Sequence, residues 1–230
     1  MIPRTLEPEL MDTAEDAREY DAMDHAAVNS QFVTDLLNAL SDWSLQRPVL
    51  RILDLGAGTA QIPIELARRA PPVHITSVDA AESMLALARK NVATAGLTDR
   101  IGIVLADAKR LPFDTASFPI VISNSIIHHI AEPRALVAEA IRVTAPAGLL
   151  FHRDLARPGD ESHLDAIVNI YAANANPYQC KLFADSLRAA LTLDEVRELI
   201  ANLGFPPSMV KMTSDRHWTW SARKLSSIIG

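Results

Sequence analysis

Three carboxylates and a pair of glycines are spaced along this chain as one ligand would need them. Asp54 stands two residues before the run Gly56-Ala57-Gly58, where an apolar stretch breaks off. Glycines at such a break let the backbone turn sharply and let a ligand press against it. Asp79 closes the next apolar stretch, where a carboxylate can accept hydrogen bonds from ribose hydroxyls. Asp107 closes a third, in Val104-Leu105-Ala106-Asp107-Ala108, and there it can accept from an exocyclic amine. The histidines are less eloquent. His128 and His129 are adjacent, but no third ligand has zinc spacing, so no metal site is expected. His128, His152 and Tyr171 are the candidates for a general base.

Two cofactors use a strand–glycine–helix turn. A dinucleotide wants Gly-x-Gly-x-x-Gly around its pyrophosphate, and here the third position is Gln61. A carboxylate at Asp54 would also repel a pyrophosphate, while it would attract an ammonium group. S-adenosylmethionine carries an amino acid end and a sulfonium but no phosphate, so the acid argues for that cofactor.

These residues need a scaffold that brings strand ends together. Short apolar runs at 49–55, 73–78, 101–105, 119–123 and 148–152 alternate with helical stretches at 59–70, 81–95 and 133–145. That rhythm indicates a parallel sheet covered on both faces. From Met11 to about Trp43 the spacing predicts helix, with Phe32, Val33, Leu36, Leu37 and Leu40 on one face and Asp12 or Thr13 as cap. Pro48 marks the entry to the first strand. Residues 160–190 read as two helices broken near Asn176-Pro177, and Thr192 caps another that Gly204 ends. Two last strands, 208–212 and 216–223, have no helix between them and should pair antiparallel.

The segments Leu53-Asp54-Leu55-Gly56-Ala57-Gly58-Thr59, Val78-Asp79-Ala80-Ala81-Glu82-Ser83-Met84-Leu85, 106–113 and Ser123-Asn124-Ser125-Ile126-Ile127-His128-His129-Ile130 together resemble class I S-adenosylmethionine-dependent methyltransferases. The likeness is strongest to the small-molecule branch that includes quinone-biosynthesis enzymes, and it covers about residues 48–155. It implies an α/β Rossmann-like fold, a seven-stranded, mostly parallel sheet with the last strand antiparallel. It further implies an N-terminal helical lid over 1–47 and a core over 48–230, with a helical cap insertion at 156–190 after the fifth strand. By the same resemblance Asp54, Gly56, Ala57 and Gly58 meet the methionine end, Asp79 and Ala80 the ribose, and Asp107 with Ala108 the adenine. Met84 packs on the purine, Asn124 sits where the methionine end meets the acceptor, and Tyr20 is a lid contact. Ala80 and Ala81 stand where the family often has a polar or aromatic residue.

Composition narrows the partners. A 49% hydrophobic and 22% charged chain of 230 residues supports one packed α/β domain. The net charge of −6 with no Lys/Arg-rich run speaks against nucleic acid. Cys180 is alone, so a reducing cytoplasm is expected, and no apolar run approaches the roughly 20 residues of a membrane span. The expected activity is in-line methyl transfer to a small-molecule acceptor through O, N, S or C, by a monomer or homodimer. The alternatives are an NAD(P)-dependent oxidoreductase and a non-catalytic cofactor-binding or scaffold subunit.

Overall fold

A computed structural model describes residues 2–9, 12–41, 49–70 and 72–225. The expected helical ends at Met11 and Trp43 and the punctuation at Pro48 lie outside them. Seven strands form one sheet in the order β3-β2-β1-β4-β5-β7-β6. They are β1 (Leu50–Leu55), β2 (Val73–Asp79), β3 (Ile101–Leu105), β4 (Phe118–Asn124), β5 (Thr144–Leu155), β6 (Val210–Met212) and β7 (His217–Arg223). The first four pair in parallel, and β7 runs antiparallel to β6, as the missing helix between them requires. The fold is the expected Rossmann-like one, and the strand order reverses direction between β1 and β4, where such sheets open a crevice.

The described residues divide into two compact units. The larger holds the described residues among 12–124, 135–152 and 221–225. Here α3 (Gln61–Arg69), α4 (Glu82–Thr94) and α5 (Pro133–Val143) connect the strands. The core of this unit gathers Ile52, Ile75, Ile120 and Ile122 from the sheet with Phe32, Val33 and Leu36 from the N-terminal region. Phe32 meets Phe151 edge to face at 5.3 Å. Burial of a ring on this scale contributes a few kcal/mol, and truncating it to Ala typically costs about 3–5 kcal/mol.

The single N-terminal helix expected from the apolar spacing is in fact two, α1 (Ala14–Ala22) and α2 (Ala26–Ala39). Met23 turns extended, and the Asp24 carboxylate accepts from the Ala26 N–H at 3.0 Å. A short acid that takes the backbone N–H two residues on forms a local turn just before α2, and it breaks the chain without any Gly or Pro to announce it. Thr13 caps α1, accepting from the Asp16 N–H at 3.0 Å.

The smaller unit holds 2–9, 125–134 and 153–220. It contains two 3₁₀ turns (Ile127–His129 and Pro207–Met209), α6 (Glu161–Tyr171), α7 (Pro177–Ala189) and α8 (Leu193–Ala201). Asn176 and Thr192 close capping boxes with Gln179 and Glu195, which is why helices begin there. Its core joins Ile2 of the N-terminal arm to Leu155, Leu164, Ile167 and Leu187. Arg4 ties the arm down further, donating to the carbonyls of Ala189 at 2.7 Å and Ile130 at 2.9 Å.

Candidate active site

Register places the predicted acids at one edge of the larger unit. Leu55 pairs with Val78 and with Ser123, and Asp79 pairs with Leu105. The chain therefore leaves β1, β2, β3 and β4 at nearly the same level, carrying Asp54, Asp79, Asp107 and Asn124. Between β1 and α3 the backbone enters the left-handed region three times, at Gly56 (φ 69°), Gly58 (φ 53°) and Ala60 (φ 65°). Glycine meets that demand without a Cβ penalty, whereas Ala60 holds it under strain.

Asp79 anchors this turn. Its Oδ2 accepts the Gly58 N–H at 2.9 Å and its Oδ1 accepts the Ala81 N–H at 2.9 Å. Gly56 and Ala57 both donate to the Val78 carbonyl, at 2.8 and 2.9 Å. Tyr20 of α1 lies over the turn: a Cβ on Gly58 would stand 3.6 Å from its ring. Ala17 of α1 packs on Ala81 and Met84, with Tyr20 against the same cluster.

Asp54 is placed differently. It is 4% exposed, and its Oδ2 has no hydrogen-bond partner among the described residues. Burial, reinforced by the nearby Asp79 charge, pushes its carboxyl well above the usual carboxylate range. An acid in that condition is costly unless a cation or a donor compensates it. Asp107 is exposed; its Oδ1 accepts the Lys109 N–H at 2.8 Å and faces the Lys109 ammonium at 3.1 Å, while Ala108 is buried.

Gln61, the residue that spoils the dinucleotide fingerprint, has work of its own. Its side chain accepts from Asn29 at 3.1 Å and reaches the Asp21 carboxylate at 3.4 Å. Asn91 donates to the same carboxylate at 3.0 Å and to the Thr59 carbonyl at 3.1 Å. This network joins α1, α2 and α4 to the turn. No local sequence pattern exposes it, because its members lie 30 to 70 residues apart.

The base candidates fall in unlike surroundings. His152 is fully buried, shares a 2.6 Å hydrogen bond between its Nδ1 and Ser123 Oγ, and is pushed down to about 3 by burial, so its ring is neutral near pH 7. Tyr171 is exposed and donates to Asp215 at 2.7 Å, with the Arg216 guanidinium 3.2 Å above its ring. His128 is buried in the smaller unit, 2.5 Å from Asp154 through Nδ1. Burial is the strongest single influence and opposes its protonation, but the charge and hydrogen bond of Asp154 together with the Glu7 charge raise its pKa. Asp154 also accepts from the Ile127 and Leu155 N–H groups, at 2.5 and 2.6 Å. Glu7 completes this group, 3.5 Å from His128 Nε2 and 3.0 Å from His129 Nδ1. Sequence spacing could not reveal Glu7, since more than a hundred residues separate it from the histidines.

Residues 52–148 match a family described as a methyltransferase domain. The chain is 34% identical over 113 residues to a ubiquinone/menaquinone biosynthesis C-methyltransferase of Cereibacter sphaeroides, covering 49% of this chain and 45% of that enzyme. It thus spans about half the length of that relative. A malonyl-(acyl-carrier protein) O-methyltransferase of Geobacter sulfurreducens is 34% identical over 190 residues, or 82% of this chain and 66% of that one. Residues 52–148 thus carry a methyltransferase domain, and the chain is similar to S-adenosylmethionine-dependent methyltransferases. The methyltransferase fold is matched as well by a solved structure from Methanococcus maripaludis described as an S-adenosylmethionine-dependent methyltransferase. Its TM-score is 0.73 at 16% identity, covering 98% of this chain and all of that one. Among methyltransferases of this class the relatives named here differ in acceptor atom, one acting on carbon and the other on oxygen.

Proposed function

We propose that this chain transfers the methyl group of S-adenosylmethionine to a small-molecule acceptor. The observation that carries the reading is the buried Asp54 oxygen without a hydrogen-bond partner, beneath a turn built on Gly56 and Gly58. A carboxylate in that condition suits an ammonium group, and the methionine end supplies one; it does not suit a pyrophosphate. The cofactor supplies an activated sulfonium methyl when bound. In this reading Asp54, Gly56, Ala57 and Gly58 hold its amino acid end. Asp79, with Ala80 beside it, accepts from the ribose, Asp107 and Ala108 receive the adenine, and Met84 packs on the purine. Asn124 lies at the end of β4 toward the acceptor, and Tyr20 closes over the turn.

The chain then has to align an acceptor and keep water away. Alignment alone is worth up to roughly 7–11 kcal/mol in well-oriented systems, so no dedicated base is needed for a thiolate, an amine or an enolate carbon. His152 is enclosed and neutral, Tyr171 is engaged with Asp215, and His128 is committed to Asp154. The net charge of −6 and the lack of a basic run support a small acceptor over nucleic acid.

Isothermal titration of the full chain with S-adenosylhomocysteine tests this directly. Binding at about micromolar Kd is expected. Heat no different from buffer at several hundred micromolar ligand, with the chain folded by circular dichroism, would overturn it. Mass spectrometry of quinol, thiol and carboxylate acceptor panels then identifies the acceptor class.

A further inference from the structure

We propose that Glu7, His128 and His129 form a binding site for a divalent transition-metal ion of the zinc class. The three residues lie within the smaller unit and each turns one ligand atom to a common point, all within 4.8 Å of one another. Glu7 Oε1 stands 3.5 Å from His128 Nε2 and 3.0 Å from His129 Nδ1. Ligand atoms around a tetrahedral zinc, bonded at about 2.1 Å, stand roughly 3.4 Å apart, so two edges of the polyhedron are already near their final length.

The supporting residues fit a metal site as well as the ligands do. His128 Nδ1 faces Asp154 at 2.5 Å. A proton held there fixes the tautomer, leaving Nε2 as the lone-pair nitrogen turned to Glu7; metal-ligating histidines nearly always have such a partner on the far nitrogen. Asp154 is itself held by the Ile127 and Leu155 N–H groups, at 2.5 and 2.6 Å. Ser186 Oγ lies 3.2 and 3.3 Å from the two Glu7 oxygens and orients that carboxylate. The two imidazole rings lie 4.1 Å apart. Charge agrees: Glu7 and Asp154 bring two negative charges against the one positive charge of Arg4, whose guanidinium is spent on backbone carbonyls. Two imidazoles and one carboxylate suit zinc, iron or cobalt over magnesium or calcium, which prefer oxygen ligands. Because Glu7 belongs to the arm and the histidines to the turn after β4, a bound ion would clip the arm in place.

The test uses the full chain, stripped with EDTA and titrated with Zn²⁺ or Co²⁺. One equivalent of Zn²⁺ should bind and raise Tm, EDTA should reverse the shift, and Co²⁺ should give visible d–d absorption. Glu7→Gln and His129→Ala should each weaken Zn²⁺ binding roughly tenfold or more, since even losing an outer-shell partner costs that much. His163→Ala, an exposed histidine on α6, serves as control and should change nothing. If Glu7→Gln lowers Tm yet both proteins ignore Zn²⁺, the cluster is an ion-pair latch and the proposal fails. It fails equally if Glu7→Gln and His129→Ala bind Zn²⁺ as the parent does while folded by circular dichroism.

Discussion

Asp54 and Asp154 both end strands and are both buried, at 4% and 1% exposure, yet their surroundings are opposite. Asp154 is fully provided for: backbone N–H groups and the His128 ring surround it, and they hold its carboxyl below its ordinary value against the effect of burial. Asp54 has an oxygen without a partner among the described residues and a carboxyl driven upward. The difference separates two uses of a buried acid. One organises the chain around itself. The other is kept at a cost, which in the reading proposed above a cationic ligand offsets.

Removing the two acids should therefore have opposite consequences. Asp154→Ala strips the counter-charge from a buried histidine and orphans several N–H groups, so stability should fall by about 3 kcal/mol or more. Chemical denaturation measures this; a loss under 1 kcal/mol would erase the contrast. Asp54→Asn should cost about 2 kcal/mol or more of S-adenosylhomocysteine affinity, roughly thirtyfold by titration calorimetry. The same change should stabilise the ligand-free chain by about 1 kcal/mol. A variant that binds as the parent does removes Asp54 from the methionine end.

The pH dependence sharpens the point. A carboxyl raised in the folded state binds more protons there than in the unfolded chain. Its stability contribution is thus complete below the unfolded value and is lost as pH rises through the raised one. The ligand-free parent should lose stability relative to Asp54→Asn across that window, and parallel Tm–pH profiles would contradict it. Binding an ammonium group favours the carboxylate, so ligand binding should also release protons, which calorimetry in buffers of differing ionisation enthalpy detects. The smallest effect is expected from Gly58→Ala. Its Cβ would meet Tyr20 at an ordinary 3.6 Å, so only the left-handed backbone resists, at about 1 kcal/mol.

What the sequence disclosed follows the same division. The placement of Asp54, Gly56, Gly58, Asp79 and Asp107 at or just beyond strand ends was legible because apolar strand runs and the turns that follow them are local in sequence. The seven-stranded sheet and the antiparallel β7 followed from apolar runs with and without intervening helices. The break between α1 and α2 was hidden, since Asp24 ends nothing by composition alone. Glu7 was hidden more deeply: its neighbours are fixed by Ile2 and Arg4 seating the arm among α7 and the turn after β4, and nothing near Glu7 announces it. Long-range partnerships of this kind come from tertiary packing, which no spacing rule encodes.

Gln61 has a consequence for anyone wishing to re-engineer cofactor preference. Installing the third glycine of a dinucleotide fingerprint at this position would cut the link from Asn29 to Asp21, and with it part of the tether between two helices and the loop they cover. Redesign toward a phosphate-bearing coenzyme would thus have to begin by rebuilding that tether elsewhere, because the amide that occupies the glycine's place also joins Asn29 to Asp21.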